Sequence, residues 1–574
     1  ANRAMTPTPT PGGLRWTSLI GLGLRLKLAA RRAKLADTTH WQQQSARLQA
    51  GVLRDNLAKA AGTEIGREHG FAKLASITRD DQLWDAYRAA VPLGDWYSIK
   101  DRVARMREQG EPDVLWPGLV GHFAQTSGTT AGDKFIPVSR EMFKSNYNAS
   151  LDIFAHLMNR EVSPERLMGG RCLFLGGSSD LKANEHGVIT GDLSGLVTPL
   201  IRWPLSAIYS PGPKIALLDD WPAKIEAMAD LTLRQDIRFI SGMPSWAHAL
   251  MTRVVGLARE RGSDAESILD IWPHLTVFVH GGVRYEPFRR RLGEVVTGSP
   301  EGDFAHRHEL YPASEGFVAM QDEPNPGGAQ AGLRLNVDLG NAFEFVPTEL
   351  VRDDGSLADD AVSHHAGQVE TGVRYCVVIS SCAGLWRYNI GDVVEFDSVP
   401  DGLEHGDARA GTGPARLRIV GRHRHFINAF GENLIVEHIE TAVAAAAAET
   451  GLETGEFTAA PVYPAHGTPA GLELVIELPA DLPRDRLAAL GSAFDVSLKA
   501  QNVDYATKRG EDLGMAPPTL TPVPPGAFHR WMAGRGKLGG QHKCPRCANH
   551  RDFVEGVAVS AGVRAELPET AQTR

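Results

Sequence analysis

Residues 126–134 read Thr-Ser-Gly-Thr-Thr-Ala-Gly-Asp-Lys, a run of hydroxyls and glycines closed by a lysine. Backbone N–H groups and side-chain hydroxyls donate to phosphate oxygens, so such a loop can cradle a polyphosphate. Ser127, Thr129 and Thr130 are the candidate donors, Gly128 lets backbone come close, and Lys134 adds a point charge. A P-loop NTPase is a poor match. It needs Gly-x-x-x-x-Gly-Lys-Ser/Thr, whereas here Gly128 and Gly132 are four apart, Asp133 precedes Lys134 and Phe135 follows it. By itself a Ser/Thr/Gly run of this kind is more often an ordinary turn. A second cluster, His542, Cys544, Cys547 and His550, contains a Cys-x-x-Cys pair with zinc-ligand spacing. No second such pair lies near it in sequence, so the segment reads as a loop rather than a metal centre.

Other residues gain meaning from their order. His280-Gly281-Gly282 ends a strand preceded by Trp272-Pro273; Tyr311-Pro312-Ala313-Ser314-Glu315 comes next. Arg387 then precedes Tyr388-Asn389-Ile390-Gly391-Asp392, and Gly421-Arg422 is followed by Gly431-Glu432. Together with the loop at 126–134 this order resembles the adenylate-forming superfamily, which includes acyl-CoA ligases and firefly luciferase. Further segments narrow the resemblance. They are Thr63-Glu-Ile-Gly-Arg-Glu-His-Gly-Phe71, Val91-Pro-Leu, Glu111-Pro-Asp-Val-Leu-Trp-Pro-Gly118, Lys134-Phe-Ile-Pro137, Gly384-Leu-Trp-Arg-Tyr388 and Gly539-Gly-Gln-His-Lys-Cys-Pro-Arg546. These resemble the auxin-responsive acyl acid amido synthetases of plants and their bacterial relatives, over roughly residues 20–556.

The resemblance implies a two-step reaction that uses ATP and Mg²⁺. A small carboxylic acid becomes an acyl-adenylate with release of pyrophosphate, and an amine, usually of an amino acid, then displaces AMP. It implies that Glu315 holds Mg²⁺, that Tyr311 stacks on adenine beside Ser314, and that Gly281 and Gly282 reach the adenine edge. Asp392 would accept ribose hydroxyls, and Arg387 and Arg422 would face α-phosphate or ribose oxygens. Lys543, from the C-terminal domain, would stabilise the charge that develops in adenylation. The acid would lie among residues 172–250, against Leu193, Met243 and Trp246, with Ser381 nearby. Plainer readings compete: a surface carboxylate for Glu315, a turn for the glycine pair, a hairpin turn at Gly391-Asp392, an exposed strand residue for Arg387 and a solvated lysine for Lys543. His306, His308, His423 and His425 read as solvated or loop residues, and His280 either touches nucleotide or is buried and hydrogen-bonded. Two positions depart from the superfamily: Arg424 stands near the usual hinge aspartate, and Pro312 replaces a common glycine. An acyl-CoA ligase and a catalytically silent nucleotide-binding homologue are the rival readings.

These residues need a scaffold to position them. The chain has 574 residues, enough to bury large cores, and 60 basic against 69 acidic side chains, a formal net charge of −9. That balance argues against a general nucleic-acid or anionic-membrane binder. Five cysteines in so long a chain make a disulfide framework untenable, and a reducing, cytoplasmic setting fits them. Residues 14–110 carry apolar residues at helical spacing, beginning with an amphipathic helix near 18–30 that is too short and too charged to span a membrane. Strand patterns follow at 172–176, 239–241, 275–280, 343–346, 375–379, 393–396 and 417–420, with helical patterns between several of them. This alternation predicts α/β layers. A smaller α+β unit restarts after Gly421, with a helix at 437–450, a strand at 472–478, a helix at 484–500 and a proline-rich stretch near 517–525. The expected organisation is a disordered tail at 1–13, a large adenylation domain at 14–424, a mobile C-terminal domain at 425–560 and a second tail at 561–574. A monomer is expected.

Overall fold

The computed structural model describes residues 15–126, 134–176, 181–218, 221–282, 285, 288–324, 332–351, 357–358, 361–403, 410–422, 426–427, 434–462, 471–502, 505–506, 509, 515–535, 544–548 and 550–564. The N-terminal hundred residues are helical, as their apolar spacing predicts. Helix α1 (Ser18–Ala36) is followed at once by helix α2 (Thr38–Ala60), with Asp37 between them accepting the His40 N–H at 2.9 Å as an N-cap. Four shorter helices lead to the first strand.

The centre of the molecule is a twelve-stranded mixed sheet. From one edge its order is His364–His365, Ala342–Pro347, Arg374–Ser380, Tyr388–Ser398, Arg416–Arg422, Leu333–Leu335, Gly316–Gln321, His306–Ala313, Val277–Gly281, Ile237–Gly242, Arg171–Phe174 and Tyr209–Ser210. The last five run parallel and the rest pair antiparallel. In the parallel part, successive side chains serve opposite layers, as the pleat requires. Phe278 packs with Leu250, Val254 and Trp272, while Val277 and Val279 pack with Ile153 and Leu157 of the helix Arg140–Asn159. Helices therefore cover both faces. A separate four-stranded sheet contains the antiparallel pair His122–Thr126 and Lys134–Pro137.

Arg422 still pairs within the large sheet, whereas Ile427 and Leu434 belong to a different core. That second core joins the helices Val436–Thr450 and Arg484–Gln501 to a three-stranded sheet of Phe457–Val462, Gly471–Glu477 and Thr519–Val523.

Two expectations need correction, and the proline-rich stretch gains a definition. His308 is wholly buried in the strand His306–Ala313, not solvated; burial and the Arg160 guanidinium hold its ring well below the usual histidine range. The proline-rich stretch holds a true strand at Thr519–Val523, which pairs parallel with Gly471–Glu477. Ala561–Arg564 do not belong to a disordered tail: the Gly562 and Val563 N–H groups close the preceding helix, and Arg564 pairs with Glu473 at 2.7 Å. The expected tail at 1–13 and the rest of the second tail lie outside the described residues.

Candidate active site

Ligands of open α/β sheets bind beyond the carboxyl ends of parallel strands. Several of the sequence-derived residues meet at that end here. The strand Val277–Gly281 runs beside His306–Ala313 with Gly281 opposite Leu310. A Cβ at Gly281 would lie 2.5 Å from the Leu310 carbonyl oxygen and 3.1 Å from Pro312 Cδ, so only glycine permits this approach. Gly282 follows with φ +80° and is exposed. Tyr311 is buried on the neighbouring strand, and its hydroxyl donates to Asp392 Oδ2 at 2.5 Å across 81 residues of sequence. Two motifs recognised separately are thus one constellation. Ser314 and Glu315 form the tight turn into Gly316–Gln321, Ser314 buried and Glu315 half-exposed.

Asp392 is not in a hairpin turn. It lies inside the strand Tyr388–Ser398, 7% exposed, with Arg422 as its cross-strand partner. Gly391 takes φ +89° just before it, which supplies the local bend. The Arg422 side chain lies outside the description, but its backbone register places it at Asp392. The phosphate-loop residues Ser127, Gly128, Thr129 and Thr130 also lie outside the described residues. The ends of their loop are fixed, because Thr126 pairs with Lys134.

The carboxyl ends of the next two parallel strands gather the presumed acyl-pocket residues. A Cβ at Gly242 would meet Leu175 Cβ at 2.5 Å, and one at Gly176 would meet Ser194 Oγ at 2.8 Å. Leu193, which opens the helix Leu193–Val197, and Met243, which precedes the helix Pro244–Glu260, therefore border one strand exit, with Trp246 half-buried nearby. Spacing alone did not reveal two ionisable neighbours. Asp192 caps the helix Leu193–Val197 through the Ser194 N–H at 3.2 Å, and burial raises its pKa. Lys224, on the helix Trp221–Thr232, is 1% exposed; burial pushes it down to about 8, against the attraction of Asp192. Neither carries a sequence signal, since a lysine on a helix ordinarily faces water. His280 is buried between Phe278 and Tyr285, and burial pushes it down to about 3.

Two proposed contacts are corrected. Arg387 does not face a nucleotide. It is 4% exposed at φ +45°, and its guanidinium donates to Glu344 at 3.1 Å, Ser363 at 2.8 Å and the Val91 carbonyl at 2.7 Å. Those donors are committed inside the protein. Ser381 does not line a pocket: it is wholly buried, and its oxygen accepts the Ala383 and Leu385 N–H groups at 3.3 Å in the turn before Arg387.

Lys543 lies outside the described residues. The chain immediately after it is anchored along Phe457–Val462: the Thr458 hydroxyl donates to the Pro545 carbonyl at 2.6 Å, and Arg546 pairs with Glu456 at 2.6 Å. Cys547 sits in the C-terminal core, and burial pushes the Cys544 thiol up to about 12. Among the described residues no three His, Cys, Asp or Glu side chains gather as a metal cage. Glu315 still fits Mg²⁺, a hard cation that needs few protein oxygens when substrate phosphates supply the others.

The fold is that of the adenylate-forming ligases. A GH3.15 acyl acid amido synthetase superposes with a TM-score of 0.71 at 17% identity, covering 97% of each chain. A 2-hydroxyisobutyryl-CoA ligase in its postadenylation state superposes at 0.51 and 12% identity, over 90% of this chain and 92% of its own. Within that class the chain belongs to the GH3 family, whose N-terminal, central and C-terminal domains match residues 34–211, 337–402 and 437–552. The indole-3-acetic acid-amido synthetase GH3.4 of Arabidopsis thaliana is 26% identical over 54% of this chain and 50% of its own length. The jasmonoyl–L-amino acid synthetase GH3.5 of Oryza sativa subsp. japonica is 29% identical over 27% and 26%. The matched stretches thus span about a quarter to a half of these curated relatives.

Proposed function

We propose that the chain is an ATP-dependent acyl acid amido synthetase. The carrying observation is the Tyr311–Asp392 contact beside the Ser314-Glu315 turn, at the carboxyl ends of the parallel strands. It joins a candidate adenine platform, a ribose acceptor and a metal ligand in one place. A carboxylate oxygen of the acid attacks the α-phosphorus of ATP, the bond to pyrophosphate breaks, and an acyl-adenylate forms. An amine then attacks the acyl carbon, and AMP leaves with the bond electrons. The protein's part in the first step is positioning and charge neutralisation. Ser127, Thr129 and Thr130 donate to the outer phosphates, and Lys134 adds charge. Asp392 accepts the ribose hydroxyls, with Arg422 at its side, and Lys543 stabilises the α-phosphate as charge builds. Glu315 would hold Mg²⁺, which when bound would supply neutralisation of phosphate charge.

Leu193, Met243 and Trp246 make an apolar wall, which suits an acid with an aromatic or aliphatic body and an amino acid as acceptor. The five free cysteines support a reducing, cytoplasmic setting.

The test is exchange of labelled pyrophosphate into ATP without amine or CoA, across aromatic, indolic, jasmonate-like and fatty acids. At least one acid should support exchange, and an amino acid should then yield an amide. ATP binding without exchange by any acid would leave a silent homologue. Exchange followed by thioester formation with CoA, and no amide with any amine, would make it an acyl-CoA ligase.

A further inference from the structure

Helix α1 lies almost wholly outside the family's N-terminal domain, which begins at residue 34. One of its faces is tightly covered. A Cβ at Gly21 would sit 2.4 Å from the Pro164 carbonyl oxygen, and Leu28 and Leu35 are buried. The opposite face carries Leu19, Leu22 and Leu26 at 67%, 44% and 71% exposure, with Trp16 at 58% just before the helix. At helical periodicity these leucines share an arc of roughly 120° with Gly23, Ala29, Ala30 and Ala33, all exposed, and no polar helix residue enters it. Ala207 lines the same cleft as Arg15 and Trp16, and the short segment leading to it exposes Trp203 and Leu205. A contiguous apolar stripe of this kind is an interaction surface rather than a scatter of exposed leucines.

Its charge identifies the occupant. Residues 15–36 hold Arg15, Arg25, Lys27, Arg31, Arg32 and Lys34 and no acidic residue. Arg31 and Lys34 turn inward to Asp338, and Arg32 donates to Asn159. Arg25 and Lys27 flank the arc on its two sides, Arg25 paired with Glu165 and Lys27 donating to the Tyr147 hydroxyl at 3.0 Å. Arg15, 61% exposed at the side chain and 3.9 Å from Asp236, stands at the Trp16 end. Arg25 is neutralised by Glu165, so the weakly compensated cations of this face are Lys27 and the exposed Arg15, which two copies packed stripe to stripe would bring together. A lipid surface supplies an apolar boundary for the leucines and anionic headgroups for Lys27 and Arg15.

We propose that α1 is an interfacial helix by which the protein docks on a bilayer containing anionic lipid. The net charge of −9 averages this local feature away; at the edge of the stripe the face presents Lys27 and Arg15. The full chain should sediment with phosphatidylcholine–phosphatidylglycerol vesicles at low salt and far less with phosphatidylcholine alone. Replacing Leu19, Leu22 and Leu26 together by Gln should reduce binding by ~10-fold or more with an unchanged circular dichroism spectrum, because all three already face water. Arg15→Gln with Lys27→Gln should weaken the preference for anionic vesicles and its salt dependence. Parent protein that stays in the supernatant with anionic vesicles, or a triple variant that binds as well as the parent, would overturn the proposal. So would a parent dimer, found by analytical ultracentrifugation, that the triple variant dissolves while the parent binds no vesicles; the second copy would then own the face.

Discussion

The Tyr311 hydroxyl, 2.5 Å from Asp392, gives a specific handle on the proposed nucleotide site. A hydrogen bond to a carboxylate contributes about 1.5–3 kcal/mol. Tyr311→Phe keeps the ring and removes the bond, so Asp392 loses the partner that orients it for its proposed ribose contact. The KM for ATP in pyrophosphate exchange should rise ~10-fold or more, the change that about 1.4 kcal/mol produces. An unchanged KM would mean that this bond does not prepare Asp392 for ribose. Glu315→Gln isolates the metal. It preserves size and removes charge, so exchange should require more Mg²⁺ and slow by at least roughly tenfold. The same rate at the same Mg²⁺ would place Glu315 outside the site. Gly281 shows how the backbone takes part: its missing side chain is what allows His280-Gly281-Gly282 to lie against Leu310 and Pro312.

Among the elements, the strand Tyr388–Ser398 carries Asp392 and is braced by residues that resemblance alone marked as specific to the family. Arg387 reaches back to the Val91 carbonyl and to Glu344, while Trp386 Nε1 donates to the Leu115 carbonyl at 3.1 Å. Gly384 passes so close to Leu115 that a Cβ would be 2.7 Å from its carbonyl oxygen, and Phe71 and Trp116 pack on Trp386. Four of the quoted segments are therefore one buttress behind the site, not four contacts with substrate. Arg387→Met should cost about 3–5 kcal/mol in urea unfolding, because it leaves Glu344 buried with one cation fewer. The protein that remains folded should bind ATP normally. Full stability with lost ATP binding would return the guanidinium to the nucleotide. The sequence made the strands at 239–241, 275–280 and 343–346 legible because β-branched and aromatic runs sit between clear breaks. It hid the strand His306–Ala313, whose alternating histidines and arginine imitate a solvated segment until Arg160 and the sheet enclose His308. Order along the chain also could not tell a ligand from a brace: Arg387 and Asp392 are five residues apart and point to different tasks.

Across the whole molecule, burial of histidine sets how the fold responds to acid. Burial pushes His280 and His365 down to about 3 and His438 to about 4, and holds His156 and His308 well below the usual range. In the unfolded chain each would take up a proton near the ordinary value of 6.5. Below that pH the unfolded state binds protons that the folded state refuses, so stability falls as pH falls, and the loss continues until the folded values are reached. Each fully buried ring contributes up to about 1.4 kcal/mol per pH unit in that window. Carboxylates with lowered values act lower down: Glu165, held near 2 first by its bond to Arg25, gives stability that is lost only as pH drops below its ordinary 4.5. Asp152 and Asp192, raised by burial, bind protons first in the folded state and oppose the histidines. Five buried histidines outnumber these two carboxylates, so the net change between pH 6.5 and 5 is a loss. The thermal midpoint should fall across that interval. His365→Gln should make the fall shallower, since it removes one titrating ring from the edge strand where His365 stacks on Trp84 and accepts the Gly367 N–H. A midpoint that stays level from pH 7 to 5 in the parent protein would mean that these rings are not held neutral in the folded protein.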